Sequence, residues 1–252
     1  MNKLGSLRII PALGVLGASL SAAAGGLVSG GIYNLSFSDN GSGASVALGG
    51  SLPGGLHVTT TPAAFTMGFT GTPPAGLGSG FMAFCCDVTH YLGSPLDYQA
   101  SPMGSLYTPT TPFVAGGMGR AAYLALTYSS TGSTAADNDQ NAAVQTAIWT
   151  VLYNSPASGT AFPLTGGALT VSFGSGGSNA AVQSEAETLL ADPNLLGNLS
   201  GYTAWVFEPV DSNGRPLPNQ AVLGVVPEPS EYALTAGAGL LGFAAWRRRK
   251  SV

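Results

Sequence analysis

The chain has 252 residues, of which only 8% are charged, where an ordinary soluble domain carries about 25%. Hydrophobic residues make up 45%, enough for a core and unlike the apolar-poor, charge-rich composition of disordered chains. Six of the eight basic residues, Lys3, Arg8, Arg247, Arg248, Arg249 and Lys250, lie at the two ends, and between Ile9 and Trp246 only Arg120 and Arg215 stand against all twelve acids; nucleic-acid binding and docking of a basic helix on an anionic membrane both need clustered Lys and Arg, so both are excluded.

The first eight residues hold two basic groups and no acid. The apolar run Ile9 to Leu20 follows, then Ser21-Ala22-Ala23-Ala24. A basic start, an apolar stretch too short to span a bilayer and a small-residue cleavage site predict a secretory signal peptide over residues 1–24, cut after Ala24. The mature body then covers residues 25–225 and is exported.

Short apolar or Thr-rich runs alternate with turn residues through the first half of that body. Strands are predicted at Ile32–Phe37, Ser45–Leu48, Leu56–Thr60, Ala64–Phe69 and Phe81–Val88, separated by turn chemistry such as Asp39-Asn40-Gly41 and Pro73-Pro74. The pattern changes after Gly117. Helical spacing predicts helices at Met118–Tyr128, Thr134–Tyr153 and Asn179–Ala191, the second with Val144, Ile148, Val151 and Leu152 as its buried stripe and Asp137 or Asp139 as its cap. Strands return at Tyr202–Val210 and Gln220–Val226. The expected fold class is α+β: an antiparallel β-sandwich or barrel-like body with a helical insert, between a cleavable signal and a short C-terminal transmembrane helix.

The last segment, residues 226–252, has three parts in order. Pro227-Glu228-Pro229 precedes an uncharged stretch, Tyr232 to Trp246, which ends in Arg247-Arg248-Arg249-Lys250. Fifteen helical residues span roughly 22 Å, short of the ~30 Å hydrocarbon core, though Trp246 and snorkelling arginines extend that reach. This tail resembles the PEP-CTERM sorting signal. The resemblance implies an exosortase-type membrane peptidase as partner, a transient stay in the inner membrane, and delivery to the cell surface or an exopolysaccharide matrix.

Two adjacent cysteines, Cys85 and Cys86, sit in the strand-like segment FMAFCCDV. Neighbours in a strand point to opposite faces, so a mutual bridge is disfavoured and an exported free thiol needs an explanation. The plain one is a pair of small buried hydrophobes. The other comes from Gln145, about 60 residues on in AVQTAIW: a glutamine on an apolar helix face is costly to bury unless its amide is used, and Trp149 shares that face at i+4.

The two segments together resemble the thioester domain of bacterial surface adhesins, in which an aromatic-Cys-x-Asp strand segment meets a hydrophobic-Gln-x-x-hydrophobic-Trp helix. The resemblance covers a core of residues 81–154. It implies that Cys85 and Gln145 condense, with loss of ammonia, into an internal thioester, with Phe84, Asp87 and Trp149 at the flanking motif positions. Cys86 stands where Val or Ile is usual, so two thiols are candidates and Cys85 is the one that fits the motif. Such a bond would capture an amine-bearing surface ligand in a single turnover, which is attachment rather than enzymatic catalysis. The absence of internal lysine is compatible with it.

Other chemistries lack parts. His57 and His90 read as surface or turn residues, and a Cys86–His90 nucleophile pair has no legible third group. Asp137-Asn138-Asp139-Gln140-Asn141 lacks the glycine and terminal glutamate of a calcium loop. No metal set or cofactor fingerprint is present, and Glu185 and Glu187 point apart on a helix. The alternative to covalent attachment is a structural matrix or biofilm protein with inert cysteines.

Overall fold

A computed structural model describes residues 26–226, apart from positions 40, 42–43, 53–54, 76, 93–95, 110, 158, 160, 198, 200–201 and 203. The expected signal peptide at 1–24, the motif Pro227-Glu228-Pro229, the helix at 232–246 and Arg247-Arg248-Arg249 all lie outside the described residues. Among the described residues, no helix is long and apolar enough to cross a membrane.

Among the described residues, nine strands and three α-helices run in the order β1 Ile32–Asp39, β2 Val46–Gly50, β3 Val58–Thr60, β4 Phe65–Phe69, β5 Gly80–Cys85, β6 Leu96–Pro102, α1 Gly117–Tyr128, α2 Ala135–Tyr153, β7 Leu169–Phe173, α3 Gly177–Leu190, β8 Trp205–Val210 and β9 Val222–Val225, with a 3₁₀ turn at Pro193–Leu196 between α3 and β8. Six strands close into an antiparallel barrel in the order β1-β4-β5-β9-β8-β6, and a second sheet has the order β3-β2-β7. Closure removes the open edges that an isolated sheet would expose. The α+β class with a barrel-like body is therefore observed. The helices run from α1 to α3 with β7 threaded between α2 and α3.

Local chemistry explains where the elements start and stop. The expected strand Phe81–Val88 ends at Cys85 because the Asp87 side chain accepts the Thr89 amide at 2.7 Å, turning the chain. In β9, a Cβ on Gly224 would lie 2.5 Å from the Phe207 ring and 2.8 Å from Phe81; only glycine leaves room for those rings to stack at 4.7 Å. The strands β6 and β7 were not among the expected elements.

Helix α2 begins differently from expectation. Thr134, rather than Asp137 or Asp139, is the N-cap: its hydroxyl accepts the Asp137 amide at 3.2 Å while Asp137 Oδ2 accepts the Thr134 amide at 3.0 Å. This is a reciprocal capping box. Asp139 instead accepts a hydrogen bond from Ser178 at 2.5 Å and ties α2 to the start of α3. Burial is also wider than a stripe. Every residue from Asn141 to Tyr153 is buried, because α1, α3, β5 and β7 all pack against the helix. A helix enclosed on all sides carries little amphipathic signal.

Candidate functional site

Cys85 is the last residue of β5, where one ladder has run out. The β4–β5 pairing ends at Phe65 opposite Ala83, while β5 stays paired with β9 through Cys85 opposite Val222. The Cys86 amide donates to Ala221 O at 3.1 Å on the β9 side. Backbone groups alternate along a strand, so the amide and carbonyl of Cys85 point the other way, where β4 no longer supplies partners. Buried backbone groups must be paired, and Gln145 pairs both: its Oε1 accepts the Cys85 N–H at 2.7 Å, and its Nε2 donates to the Cys85 carbonyl at 2.8 Å.

Gln145 can do this because the polar residues around it are satisfied within α2. Thr146 donates to Ala142 O at 2.8 Å and Thr150 to Thr146 O at 2.9 Å. Gln145, 1% exposed, reaches out of the helix to the barrel. The structure thus brings together the strand cysteine and the helix glutamine singled out in the sequence.

Beside this junction is a cavity of about 90 Å³ whose lining includes Cys85, Gln145, Trp149, Leu48, Val58, Val88, His90 and Tyr91. Trp149 lies one helical turn beyond Gln145 and is buried. Its indole N–H is buried and has no acceptor among the described residues. Tyr91, 76% exposed, forms the solvent side. Phe84 is fully buried in the core and does not line the cavity. Cys86 does not line it either; its thiol donates to Ala221 O at 3.3 Å.

Burial pushes both thiols well above their ordinary range, with Cys86, Asp87 and Asp39 adding to the effect at Cys85 and Asp87 and Glu208 at Cys86, against a smaller opposing hydrogen bond at Cys86. Cys85 is accordingly a buried, protonated thiol, not a standing thiolate. Its reactivity then depends on a nearby proton acceptor and on polarisation of its electrophile.

Asp87 organises the turn after β5. Its Oδ1 accepts from the Thr89 amide and hydroxyl at 2.7 and 2.6 Å, and its Oδ2 meets His90 Nδ1 at 2.6 Å and accepts from Tyr107 at 3.2 Å. His90 is a turn residue, as expected, but it also faces the cavity. The spacing Asp87-x-x-His90 beside the motif cysteine was the available signal for that role. His57 is exposed. Among the described residues, no group of three or more His, Cys, Asp or Glu could hold a metal ion.

The one cation of the helical region, Arg120, serves structure. It donates to Leu195 O and Ala115 O, both at 2.9 Å, and stacks over Phe162 at 5.0 Å. No protein-family model, curated protein or solved structure matches this chain.

Proposed function

We propose that this chain is exported, sorted by its tail through an exosortase-type peptidase to the cell surface or exopolysaccharide matrix, and attached there to amine-bearing partners through an internal thioester between Cys85 and Gln145. The observation that carries the attachment chemistry is the two-point contact of the Gln145 carboxamide with the Cys85 backbone. It holds the acyl carbon beside the cysteine that would attack it. It also places the Cys85 N–H on Oε1, the atom that becomes negative in a tetrahedral intermediate, which is the placement an oxyanion donor needs.

Bond formation balances without a co-reactant. The Cys85 sulfur attacks the Gln145 side-chain carbon, the carbon–nitrogen bond breaks, and the thiol proton leaves with the nitrogen as ammonia. In capture, a partner amine attacks the same carbon, the carbon–sulfur bond breaks, and the products are a secondary amide at Gln145 and a free Cys85 thiol. Each chain reacts once, so the protein is a tether and not an enzyme. Burial of Cys85 and Gln145 beside Trp149 limits access of water, and the body holds no lysine that could consume the bond from within.

Intact mass tests the proposal. The mature chain is expected one ammonia lighter than its sequence, and methylamine adds its full mass; Cys85→Ala and Gln145→Ala lose both behaviours. A chain at full sequence mass, with two thiols titratable after unfolding, instead supports a non-covalent matrix protein in which Gln145 only completes the hydrogen bonding of a strand end. That second reading is favoured by how fully the Gln145 contacts satisfy the Cys85 backbone.

A further inference from the structure

The cavity beside Cys85 and Gln145 has one nitrogen base in its lining, His90. Its side chain is 25% exposed, while that of its partner Asp87 is 6% exposed, so the imidazole bridges the buried turn and the solvent side of the cavity. The contact of Nδ1 with Asp87 Oδ2 at 2.6 Å fixes the ring chemically. With Nδ1–H donating to that carboxyl oxygen, the lone pair is left on Nε2, the tautomer a general base requires. Asp87 is itself held from three other directions, by the Thr89 amide, the Thr89 hydroxyl and Tyr107. The ring is therefore oriented by a locked carboxyl group, a base–orienter pair beside a nucleophilic centre.

Amine capture needs such a group. When a primary amine adds to an acyl carbon, its nitrogen becomes positive and must lose a proton before the adduct can collapse forward, while the departing sulfur must gain one. We propose that His90 is the general base of amine capture: Nε2 takes the proton from the attacking nitrogen and delivers it to the Cys85 sulfur as the carbon–sulfur bond breaks. The imidazole returns to its starting state, one secondary amide and one thiol are formed, and no other reactant is consumed. Asp87 is the positioning residue, which gives the motif aspartate a chemical reason. This inference rests on the thioester reading and goes beyond it by naming the group that makes the bond reactive toward amines.

The test uses the mature chain and His90→Gln, whose amide can still donate to Asp87 but cannot accept a proton at neutral pH. Both are weighed intact, melted, and then exposed to methylamine, with mass gain followed over time. The expected result is a variant that melts like the wild type and is one ammonia lighter, yet takes up methylamine about a hundredfold more slowly, within the 10²–10⁴ range of general acid–base catalysis. An unchanged uptake rate overturns the assignment. So does a His90→Gln chain of full sequence mass, which moves the imidazole to bond formation. A wild-type chain of full mass sinks the thioester reading itself and is seen before any variant is compared, so the two failures are distinguishable.

Discussion

The Gln145 carboxamide closes on the backbone of Cys85 with both of its polar atoms, at 2.7 and 2.8 Å, across 60 residues of sequence. The contact sits where the β4–β5 ladder stops, so a helix side chain does the work of a missing strand. That part of its energetics can be separated from any covalent bond in a Cys85→Ala background, where no thioester forms and the backbone contact persists. Adding Gln145→Ala there leaves one N–H and one C=O buried and unpaired, at about 1–3 kcal/mol each. Urea denaturation should show that loss, and a double variant as stable as its parent contradicts the contact.

Gln145→Glu in the same background separates charge from shape. One carboxyl oxygen keeps the Cys85 N–H, but the other faces the Cys85 carbonyl and must carry a proton to be tolerated. Burial in this site raises the folded-state pKa of such a group above its ordinary value of about 4.3. A raised pKa contributes stability below the unfolded value that is lost as pH rises through the folded one. The variant is therefore expected to approach its glutamine parent near pH 4 and fall away toward neutrality. A constant gap between the two across that range excludes this account.

The two cysteines should part company in the same assays. Cys86→Ala keeps Cys85 in place and is expected to remain one ammonia lighter than its sequence, while Cys85→Ala has full mass. Burial raises the Cys86 thiol well above its ordinary range, so its neutral form stabilises the fold up to about pH 8.5, and that contribution is lost as pH climbs further. Between about pH 8.5 and 10, before tyrosines ordinarily titrate, the urea midpoint of the wild type should drop more than that of Cys86→Ala. Parallel midpoints would show that this thiol does not resist ionisation.

Cavity size sets which amines enter. An engineered cavity of about 150 Å³ accepts benzene, whereas the space beside Cys85 is about 90 Å³. Methylamine and the tip of a lysine fit; an aromatic ring does not. Relative to their rates with a simple alkyl thioester in solution, benzylamine should react at least about tenfold less well than methylamine. Equal relative rates mean that the acyl carbon is attacked from outside this cavity.

Legibility in the sequence followed the strength of each local signal. Helix α2 is plain from its length and spacing, yet the expected caps, Asp137 or Asp139, lie three and five residues past Thr134, because the run of five acidic or amide residues from Asp137 to Asn141 obscures the reciprocal pairing of Thr134 with Asp137. Strand β6 is not among the expected strands although Leu96, Tyr98 and Ala100 alternate with Asp97 and Gln99; the Gly-Ser-Pro before it and Pro102 at its end weaken that alternation as a signal. Strand β7 is five residues between glycine-rich segments, set apart from the other strands by the helices on either side of it. The pairing of Cys85 with Gln145 came from the resemblance of their two motifs to the thioester domain; the cost of burying an amide says only that Gln145 needs a partner, not which one. For the cavity position of His90 the spacing Asp87-x-x-His90 is the one sequence signal, and it gains meaning only from the turn that the Asp87 contacts define.

The link between α1 and the turn after α3 offers a test in acid. One oxygen of Asp192 accepts from both Tyr123 and Tyr128, at 2.6 and 2.7 Å, and the other accepts the Asn194 amide at 2.9 Å. These bonds tie α1 to the turn that ends α3. Burial pushes the Asp192 pKa up, but the hydrogen bonds from Tyr123, Tyr128 and Asn194 outweigh it and hold the carboxyl below its usual range. A depressed folded-state pKa contributes stability above the unfolded value of about 3.9 that is lost as pH falls through the folded one. Asp192→Asn keeps one acceptor oxygen and cannot titrate, so its unfolding midpoint should fall less than that of the wild type below about pH 4. Asp192 and Tyr128 are partly exposed and Tyr123 is buried, so partial screening by solvent keeps the effect small. If both proteins lose stability in step, the two tyrosines are not holding an ionised carboxylate, and the link between α1 and α3 rests on packing alone.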